Sequence, residues 1–225
     1  MPKFSIIAID GPAASGKSTL AFRLAAALGF LYFDTGLMYR AITWVAINRK
    51  LNVLDEIGVS RLAENVQIEV LPPSLSDGRP CDVVVEGRDI TWEIRNPDVE
   101  ANVSIVSAYP GVRRALTQQQ RRIGLHGHVV MVGRDIGTVV LPEADLKIYL
   151  DASAAVRAQR RFSELIGRGM KVKYSEVLEK VIERDRIDTN RDIAPLIPAK
   201  DAVIIDSDNL DADKVFEKIF DLCND

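Results

Sequence analysis

Apolar residues are concentrated in five short runs along the chain, and most stretches between the runs have helical periodicity. Each run is four to six residues long, which is typical of buried strands, and the first is rich in β-branched side chains. The runs cover residues 4–9, 30–33, 128–132, 146–150 and 202–206. Because these strands alternate with helices, the pattern predicts a parallel α/β sheet with helices on both faces.

The spacing of apolar residues also predicts the helices between the strands. The first follows the run at 4–9 and ends at Gly29. Further helices are predicted at 37–48, 55–66, from 97 onward, 110–122, 153–166, 175–188 and 211–222. The arginine-rich helix at 153–166 is followed by Gly167 and Gly169. We interpret residues 157–175, approximately, as a helical lid that hinges at these glycines.

A different pattern occupies the region after the third predicted helix. Residues 67–71 and 82–86 alternate as strands around a loop rich in Pro, Ser and Gly, which predicts an antiparallel hairpin. Residues 90–94 can supply a third strand. This region interrupts the alternation of strands and helices on either side. We therefore expect an inserted small sheet and a core, with the sheet at residues 67–95 and the core at 1–66 and 96–225.

Composition narrows the class of protein. The chain has 225 residues, of which 47% are hydrophobic, so it can bury a sizeable core, and its net charge is −3. So small a charge gives no indication of a nucleic-acid or membrane partner. No apolar run approaches the ~20 residues of a membrane helix, and no signal peptide is recognised. Cys81 and Cys223 lie far apart, so we expect free thiols and a cytoplasmic protein.

The strongest chemical signal is the stretch DGPAASGKST at 10–19, which matches GxxxxGK[ST] between a predicted strand and a predicted helix. Glycines let consecutive backbone N–H groups converge on phosphate oxygens, and the helix N-terminus adds a positive dipole end. Lys17 adds a positive charge, and the Ser18 hydroxyl is placed for Mg²⁺. The motif predicts a site for a nucleoside triphosphate with Mg²⁺, formed by Gly11, Pro12, Ala13, Ala14, Ser15, Gly16, Lys17, Ser18 and Thr19.

This loop does not identify the group that receives the phosphoryl group, because GTPases, motor ATPases and small-molecule kinases all use it. The sequence lacks a guanine-reading NKxD-type segment, and its arginines are clustered, which favours a kinase with a small anionic acceptor. Polar clusters follow three strand ends, at 11–19, 34–36 and 133–135. Because ligands of parallel sheets bind at the carboxyl ends of the strands, we expect one composite site there.

Several motifs together resemble one family. The chain is similar to bacterial cytidylate kinases, of the nucleoside monophosphate kinase family, over nearly its whole length. The resemblance implies a three-layer P-loop sandwich with a five-stranded parallel sheet, a small inserted antiparallel sheet and a helical lid. The motifs that carry it are GPAASGKST at 11–19, DTGLMYR at 34–40, EIR at 93–95, VSIVSAYPGVR at 103–113, GRDIGTVVLP at 133–142, KIYLDAS at 147–153, RDRIDTNR at 184–191 and APL at 194–196.

The resemblance implies an activity: ATP-dependent phosphorylation of CMP, and of dCMP, with Mg²⁺, by direct in-line transfer. It further implies that the partners are these small molecules, with no nucleic acid and no membrane, and that the chain is a monomer. Two alternatives remain open. One is a P-loop kinase for another acceptor, such as UMP, AMP or shikimate. The other is a nucleotide-dependent switch that has no acceptor.

The resemblance also implies roles for residues that would bind the acceptor. Thr35 and Arg40 match positions that contact its phosphate. Ser104, Arg113 and Asp135 match positions that read cytosine. A carboxylate such as Asp135 is complementary to the amino group of cytosine, whereas uracil would present a carbonyl oxygen there.

The remaining implied roles concern phosphate charge, ribose and metal. Arg134 and Arg191 match phosphate-clamping positions, and Arg184 and Asp188 match positions that contact the ribose hydroxyls. Many members of the family carry an acidic residue at the position of Val132, so metal coordination beyond Ser18 and the nucleotide phosphates is left open. Lid and donor-side arginines match Arg157, Arg160 and Arg161, and the sequence leaves open which of them contacts ATP. The residues expected to act in catalysis are Lys17, Arg134, Arg191, Arg157 and Arg161.

Overall fold

A computed structural model describes residues 3–224, and within that range the chain forms a five-stranded and a three-stranded sheet. The strands of the larger sheet are β1 Ile6–Asp10, β2 Leu31–Asp34, β6 Val129–Val132, β7 Leu146–Asp151 and β8 Val203–Asp206. Their order across the sheet is β2-β6-β1-β7-β8. Strand β1 pairs in parallel with both β6 and β7, and β7 pairs in parallel with β8. The predicted parallel sheet is therefore confirmed.

Local sequence explains where the helices begin and end. The side chains of Asp55, Asn96 and Ser153 each accept a hydrogen bond from a backbone N–H of the following turn, so they cap α3, α4 and α6. Gly29 ends α1 in a left-handed conformation. The helices are α1 Lys17–Leu28, α2 Gly36–Asn48, α3 Glu56–Asn65, α4 Pro97–Val106, α5 Pro110–Gly124, α6 Ala154–Gly167, α7 Tyr174–Asn190 and α8 Ala212–Asn224.

The chain divides into two compact units, of which the first comprises Met1–Tyr32 and Gly124–Asp225. Its core lies between the large sheet and two helices. Apolar side chains of β1, β6 and β7 pack with α1 and with α8, through residues such as Leu24 and Ile219. This packing fixes the carboxyl end of β1, where the glycine loop begins, against the start of α1.

The second unit, Phe33–Ile123, contains the small antiparallel sheet of β3 Ile68–Leu71, β4 Asp82–Val85 and β5 Arg88–Asp89. The third strand is earlier and shorter than the expected 90–94, and a 3₁₀ turn follows at Glu93–Arg95. Glu86 and Gly87 both have positive φ, 51° and 78°, and form a tight two-residue hairpin. The division at residues 67 and 95 stays a prediction.

A buried arginine holds this small sheet together. The Arg79 guanidinium lies 2.9 Å from a carboxylate oxygen of Asp82 and 2.6 Å from one of Asp89, and it also bonds Asp77. Its hydrogen bond to Asp89, followed by those from Thr91, lowers the pKa of that carboxyl to about 2. The sequence GRDI occurs twice, at 87–90 and at 133–136. Asp89 belongs to the first copy, which therefore serves the structure of the small sheet.

Two other sequence expectations can be compared with the fold. Cys81 and Cys223 are both buried free thiols, and burial raises the pKa of each to about 11. Among residues 3–224, none of the helices combines the length and the apolar character needed to cross a bilayer.

Candidate active site

The glycine loop connects β1 to α1 and is built so that its backbone faces inward. Gly11 has φ of 144°, and a β carbon there would lie 2.1 Å from the backbone oxygen of Leu150, so no other residue fits without rearrangement. Gly16 has φ of 98° and precedes the first turn of α1. Ser18 and Thr19 are exposed in that turn. The arrangement brings backbone N–H groups and a helix N-terminus to one point, which is a phosphate-binding geometry.

Lys17 lies over the loop, although its position in a helix would allow it to point into solvent. Its side chain is only 5% exposed. The ammonium group donates to the carbonyl of Pro12 and to the hydroxyl of Ser15, the latter at 3.1 Å. A phosphate oxygen is a stronger acceptor than either group, so the lysine is placed to exchange these bonds for bonds to a phosphate.

Two arginines of α6 reach the same loop. Arg157 donates to the carbonyl of Ala13 at 3.1 Å and forms an ion pair with Asp185 of α7. Arg160 donates to the carbonyl of Ser15 at 3.3 Å. The sequence had left open which lid arginine lies at the donor site, and these contacts favour Arg157 and Arg160.

Arg161 forms an ion pair within its own helix. It pairs with Glu164 at 2.7 Å, one turn along its own helix. Its expected catalytic role stays a prediction.

A cavity of about 150 Å³ adjoins the loop, and no motif of the sequence predicted it. Arg160 bridges it to the loop after β8, because its guanidinium donates to the carbonyl of Ser207 at 2.7 Å. Arg23 lines it too and is held by Asp213 at 2.8 Å. The strand-end rule that singled out the other polar clusters would have found Ser207. The lining residues are Gly16, Thr19, Leu20, Arg23, Leu150, Arg160, Ser207, Leu210, Ala212 and Val215.

Two carboxylates and two guanidinium groups form a network in the first unit. Asp188 lies 2.9 Å from Arg134 and 3.6 Å from Arg191, and Arg191 lies 3.7 Å from Asp135. Burial opposes the ionisation of Asp188, but the charges of Arg134, Arg184 and Arg191 outweigh it and lower its pKa. The structure thus brings together the five expected substrate-binding residues of the first unit, which are Arg134, Asp135, Arg184, Asp188 and Arg191.

The four expected substrate residues of the second unit lie in α2, α4 and α5 or directly before them. Arg40 pairs with Glu100 at 2.6 Å. Arg113 donates to the carbonyl of Ser107 at 3.0 Å, and the Ser107 hydroxyl donates to the carbonyl of Ser104 at the same distance. Thr35 is the buried residue before α2. Ser107 therefore links Ser104 to Arg113.

Tyr39 was not singled out from the sequence. Its ring centroid lies 5.4 Å from the Arg113 guanidinium. The DTGLMYR motif contains this tyrosine, but only its position beside an expected base-reading arginine distinguishes it from an ordinary core residue. The contact helps to fix the plane of the guanidinium.

Asp10 is a second residue to which the sequence assigned no role. It ends β1 and is only 4% exposed. Its carboxylate accepts hydrogen bonds from the backbone N–H groups of Ile136, at 2.8 Å, and Gly137, at 2.7 Å. Burial raises its pKa to about 6, with a further contribution from Asp135, and the two N–H groups and Lys17 act in the opposite direction.

This pKa gives a pH-dependent contribution to stability. In the unfolded chain the ordinary value is 3.8, so the folded state holds the proton of Asp10 more tightly. The resulting stabilisation is complete below the unfolded value and is lost as the pH rises through about 6. We expect the free energy of unfolding of the wild type, relative to Asp10→Asn, to fall by about 2 kcal/mol between about pH 4 and pH 7.

Urea denaturation of both proteins across that range would test this expectation, because titration of other carboxyl groups cancels in the difference. A difference that stays constant with pH would contradict it.

The sequence model of the cytidylate kinase family matches residues 7–225. The chain belongs to the cytidylate kinase family. It is 50% identical over 216 residues to a cytidylate kinase of Herpetosiphon aurantiacus, covering 96% of this chain and 93% of that one. It is also 50% identical over 204 residues to a cytidylate kinase of Chloroflexus aggregans, covering 91% and 87%.

A solved structure, of an uncharacterized protein from Eubacterium ventriosum, resembles the chain with a TM-score of 0.53 at 12% identity, covering 98% of each chain. Such a likeness concerns the fold alone. The family expected from the sequence is confirmed by the sequence comparisons, and the roles of individual residues stay predictions.

The Mg²⁺ expected from the sequence has one predicted protein ligand, the hydroxyl of Ser18. Within residues 3–224, no three His, Cys, Asp or Glu side chains are grouped so that they could hold a metal ion. Val132, at the position where the resemblance led us to expect an acidic residue, is buried in the core of the large sheet. Ser18 is exposed in the first turn of α1, so its hydroxyl is accessible to a metal that the nucleotide phosphates also bind.

Proposed function

We propose that the chain transfers the γ-phosphoryl group of ATP to CMP, and also to dCMP, giving the diphosphate and ADP. Membership of the cytidylate kinase family carries this proposal. The charge network around Asp188 supports it, since paired carboxylates and guanidinium groups suit a ligand that has hydroxyls, an amino group and a phosphate.

The donor side of the proposal depends on the glycine loop. Its N–H groups would hold the β- and γ-phosphates, and Lys17 and Arg157 would neutralise the charge that develops on the bridging oxygen. Ser18 would hold Mg²⁺, which supplies charge neutralisation at the phosphates. The cavity beside the loop, with apolar walls from Leu20 and Leu210 and the planar guanidinium of Arg160, suits the adenine base.

The acceptor side depends on which hydrogen-bonding groups face the base and the phosphate. The Asp135 carboxylate would accept the amino group of cytosine, and a uracil carbonyl in that place would leave the carboxylate unpaired, which costs more than a lost contact. Arg134 and Arg191 would hold the phosphate, and Arg184 and Asp188 the ribose. The corresponding proposals in the second unit are Thr35 and Arg40 for the phosphate and Ser104 and Arg113 for the base.

The acceptor needs no general base, because the phosphate of CMP is already an anionic nucleophile. The protein would therefore act by positioning both nucleotides and by excluding water when the lid closes. We propose a monomer, as the resemblance to bacterial cytidylate kinases implies. Two buried free thiols support a reducing compartment such as the cytoplasm.

One assay tests the acceptor. ADP release, coupled to NADH oxidation, would be measured with CMP, dCMP, UMP, AMP and shikimate in turn, with Mg²⁺ and ATP in excess. We expect CMP and dCMP to give the highest kcat/KM. Higher kcat/KM with any other acceptor, or ATP hydrolysis that no acceptor accelerates, would overturn the proposal.

A further inference from the structure

The segment that follows β6 depends on Asp10 for its hydrogen bonds. Strands β1 and β6 are neighbours, and the last sheet-like bond between them runs from the N–H of Gly133 to the carbonyl of Ile9 at 3.1 Å. Beyond Gly133 the chain leaves the sheet. Three residues farther on, the backbone N–H groups of Ile136 and Gly137 bond to the Asp10 carboxylate.

These two donors belong to the start of a short π-helical turn at Ile136–Val140. The carbonyl of Asp135 accepts the later N–H groups of that turn, from Val139 at 2.9 Å and Val140 at 3.0 Å. The first N–H groups of any helical turn have no acceptor within the turn. The residue that precedes the turn supplies one in most proteins, and aspartate is among the best residues for that purpose.

Asp135 occupies that preceding position, yet its side chain makes no capping bond. Asp10, 125 positions earlier in the sequence, caps the turn in its place. The Asp135 carboxylate instead faces Arg191, with 3.7 Å between its Oδ1 and the guanidinium Nη2. Asp10 thus takes over the capping role that the residue before a helical turn usually has, and the Asp135 side chain is left to face Arg191.

We propose that Asp10 is a positioning residue for base selection. By capping the turn, it keeps the Asp135 carboxylate directed at the ligand rather than at the backbone of its own turn. This inference rests on the proposed function, in which Asp135 reads cytosine. Asp10 also directly precedes Gly11, the first residue of the phosphate loop. Its side chain therefore connects the start of that loop to the segment that would select the acceptor.

The variant Asp10→Asn tests this inference, because an amide has one acceptor oxygen for the two backbone donors. Asp145→Asn is the matched control. The Asp145 carboxylate likewise accepts two consecutive backbone N–H groups, from Ser5 and Ile6, both at 2.8 Å, but at the opposite end of β1. At Asp10 the two N–H groups bond different carboxylate oxygens, so Asp10→Asn loses one bond beside Asp135. At Asp145 both N–H groups bond the same oxygen, so Asp145→Asn removes a negative charge but can keep both bonds.

We expect the ratio of kcat/KM for CMP over UMP to fall by about fivefold or more in Asp10→Asn, with the KM for CMP rising more than the KM for ATP. In Asp145→Asn both quantities are expected to equal those of the wild type. An unchanged ratio in Asp10→Asn, or an equal change in Asp145→Asn, would overturn the inference.

A second measurement separates this inference from the proposed function. A crystal structure of Asp10→Asn is expected to show the Asp135 carboxylate turned onto the N–H groups of its own turn, whichever acceptor the wild type prefers. An Asp135 side chain in its original place would overturn the inference.

If Asp10→Asn does not fold, Asp10→Glu replaces it, because glutamate keeps the charge and both acceptors but displaces them by one methylene. The same change of ratio is expected, and an unchanged ratio overturns the inference. Failure of both variants to fold, while Asp145→Asn folds, would make Asp10 a requirement for stability and would equally overturn a positioning role.

Discussion

Replacing Lys17 by methionine is expected to lower kcat by about 100-fold or more while the protein stays folded. The aliphatic part of the side chain remains, and only the charge over the glycine loop is lost. A preorganised charge directed at the transferring phosphoryl group typically contributes ~3 kcal/mol to the stabilisation of the transition state. Steady-state kinetics with saturating CMP and ATP would measure the loss, and circular dichroism would verify folding.

Lys147→Met is a matched control for this variant. Lys147 is also a buried lysine of the first unit, and its ammonium lies 2.8 Å from Asp201 rather than on the loop. Its replacement is expected to lower the thermal midpoint and to leave kcat close to that of the wild type. Near-normal turnover in Lys17→Met would contradict the assignment of the loop as the donor site.

The parts of the site that sequence predicted well are those whose chemistry is local. The loop at 11–19 contains its glycines, its lysine and its hydroxyl within nine residues, and it lies between a strand and a helix that are themselves locally encoded. Parallel strands then follow from buried runs separated by helices, because such runs have few other ways to satisfy their backbone groups.

The partners that buried carboxylates find in distant parts of the chain could not be predicted from the sequence. Asp10 bonds Ile136 and Gly137 across more than 120 positions, and Arg157 pairs with Asp185 across 28. An aspartate at the end of an apolar strand has many possible partners, and only the packed sheet determines which one it meets. The cavity beside α1 was missed for the same reason, since its walls come from three separate parts of the chain.

The small sheet shows how a local preference shifts an element. Residues 90–94 have the composition of a strand, but the positive φ of Glu86 and Gly87 makes the chain reverse at once after β4. Pairing therefore begins at Arg88, and the Asp89 side chain accepts the N–H of Thr91 at 2.9 Å, which ends the strand. Turn geometry determined the register here, and alternation of residue type did not.

Replacing Asp135 by asparagine is expected to change base selection rather than to abolish activity. The carboxylate accepts the amino group of cytosine in the proposed function, whereas an asparagine amide can donate to the carbonyl oxygen of uracil. A base-edge contact of this kind typically discriminates by about 1–3 kcal/mol, which is roughly 5- to 150-fold in the ratio of kcat/KM for CMP over UMP. The ratio is expected to fall by that amount, through a lower kcat/KM for CMP and a higher one for UMP.

Asp188→Asn is the matched control for Asp135→Asn. Both aspartates are buried and both lie near Arg191, so either variant removes one negative charge from the same network. Loss of charge alone would raise the KM for every nucleotide and leave the ratio of CMP to UMP unchanged. A ratio that falls only in Asp135→Asn would identify Asp135 as the group that reads the base, whereas equal ratios in the two variants would assign base reading to other residues, with Ser104 and Arg113 the next to be tested.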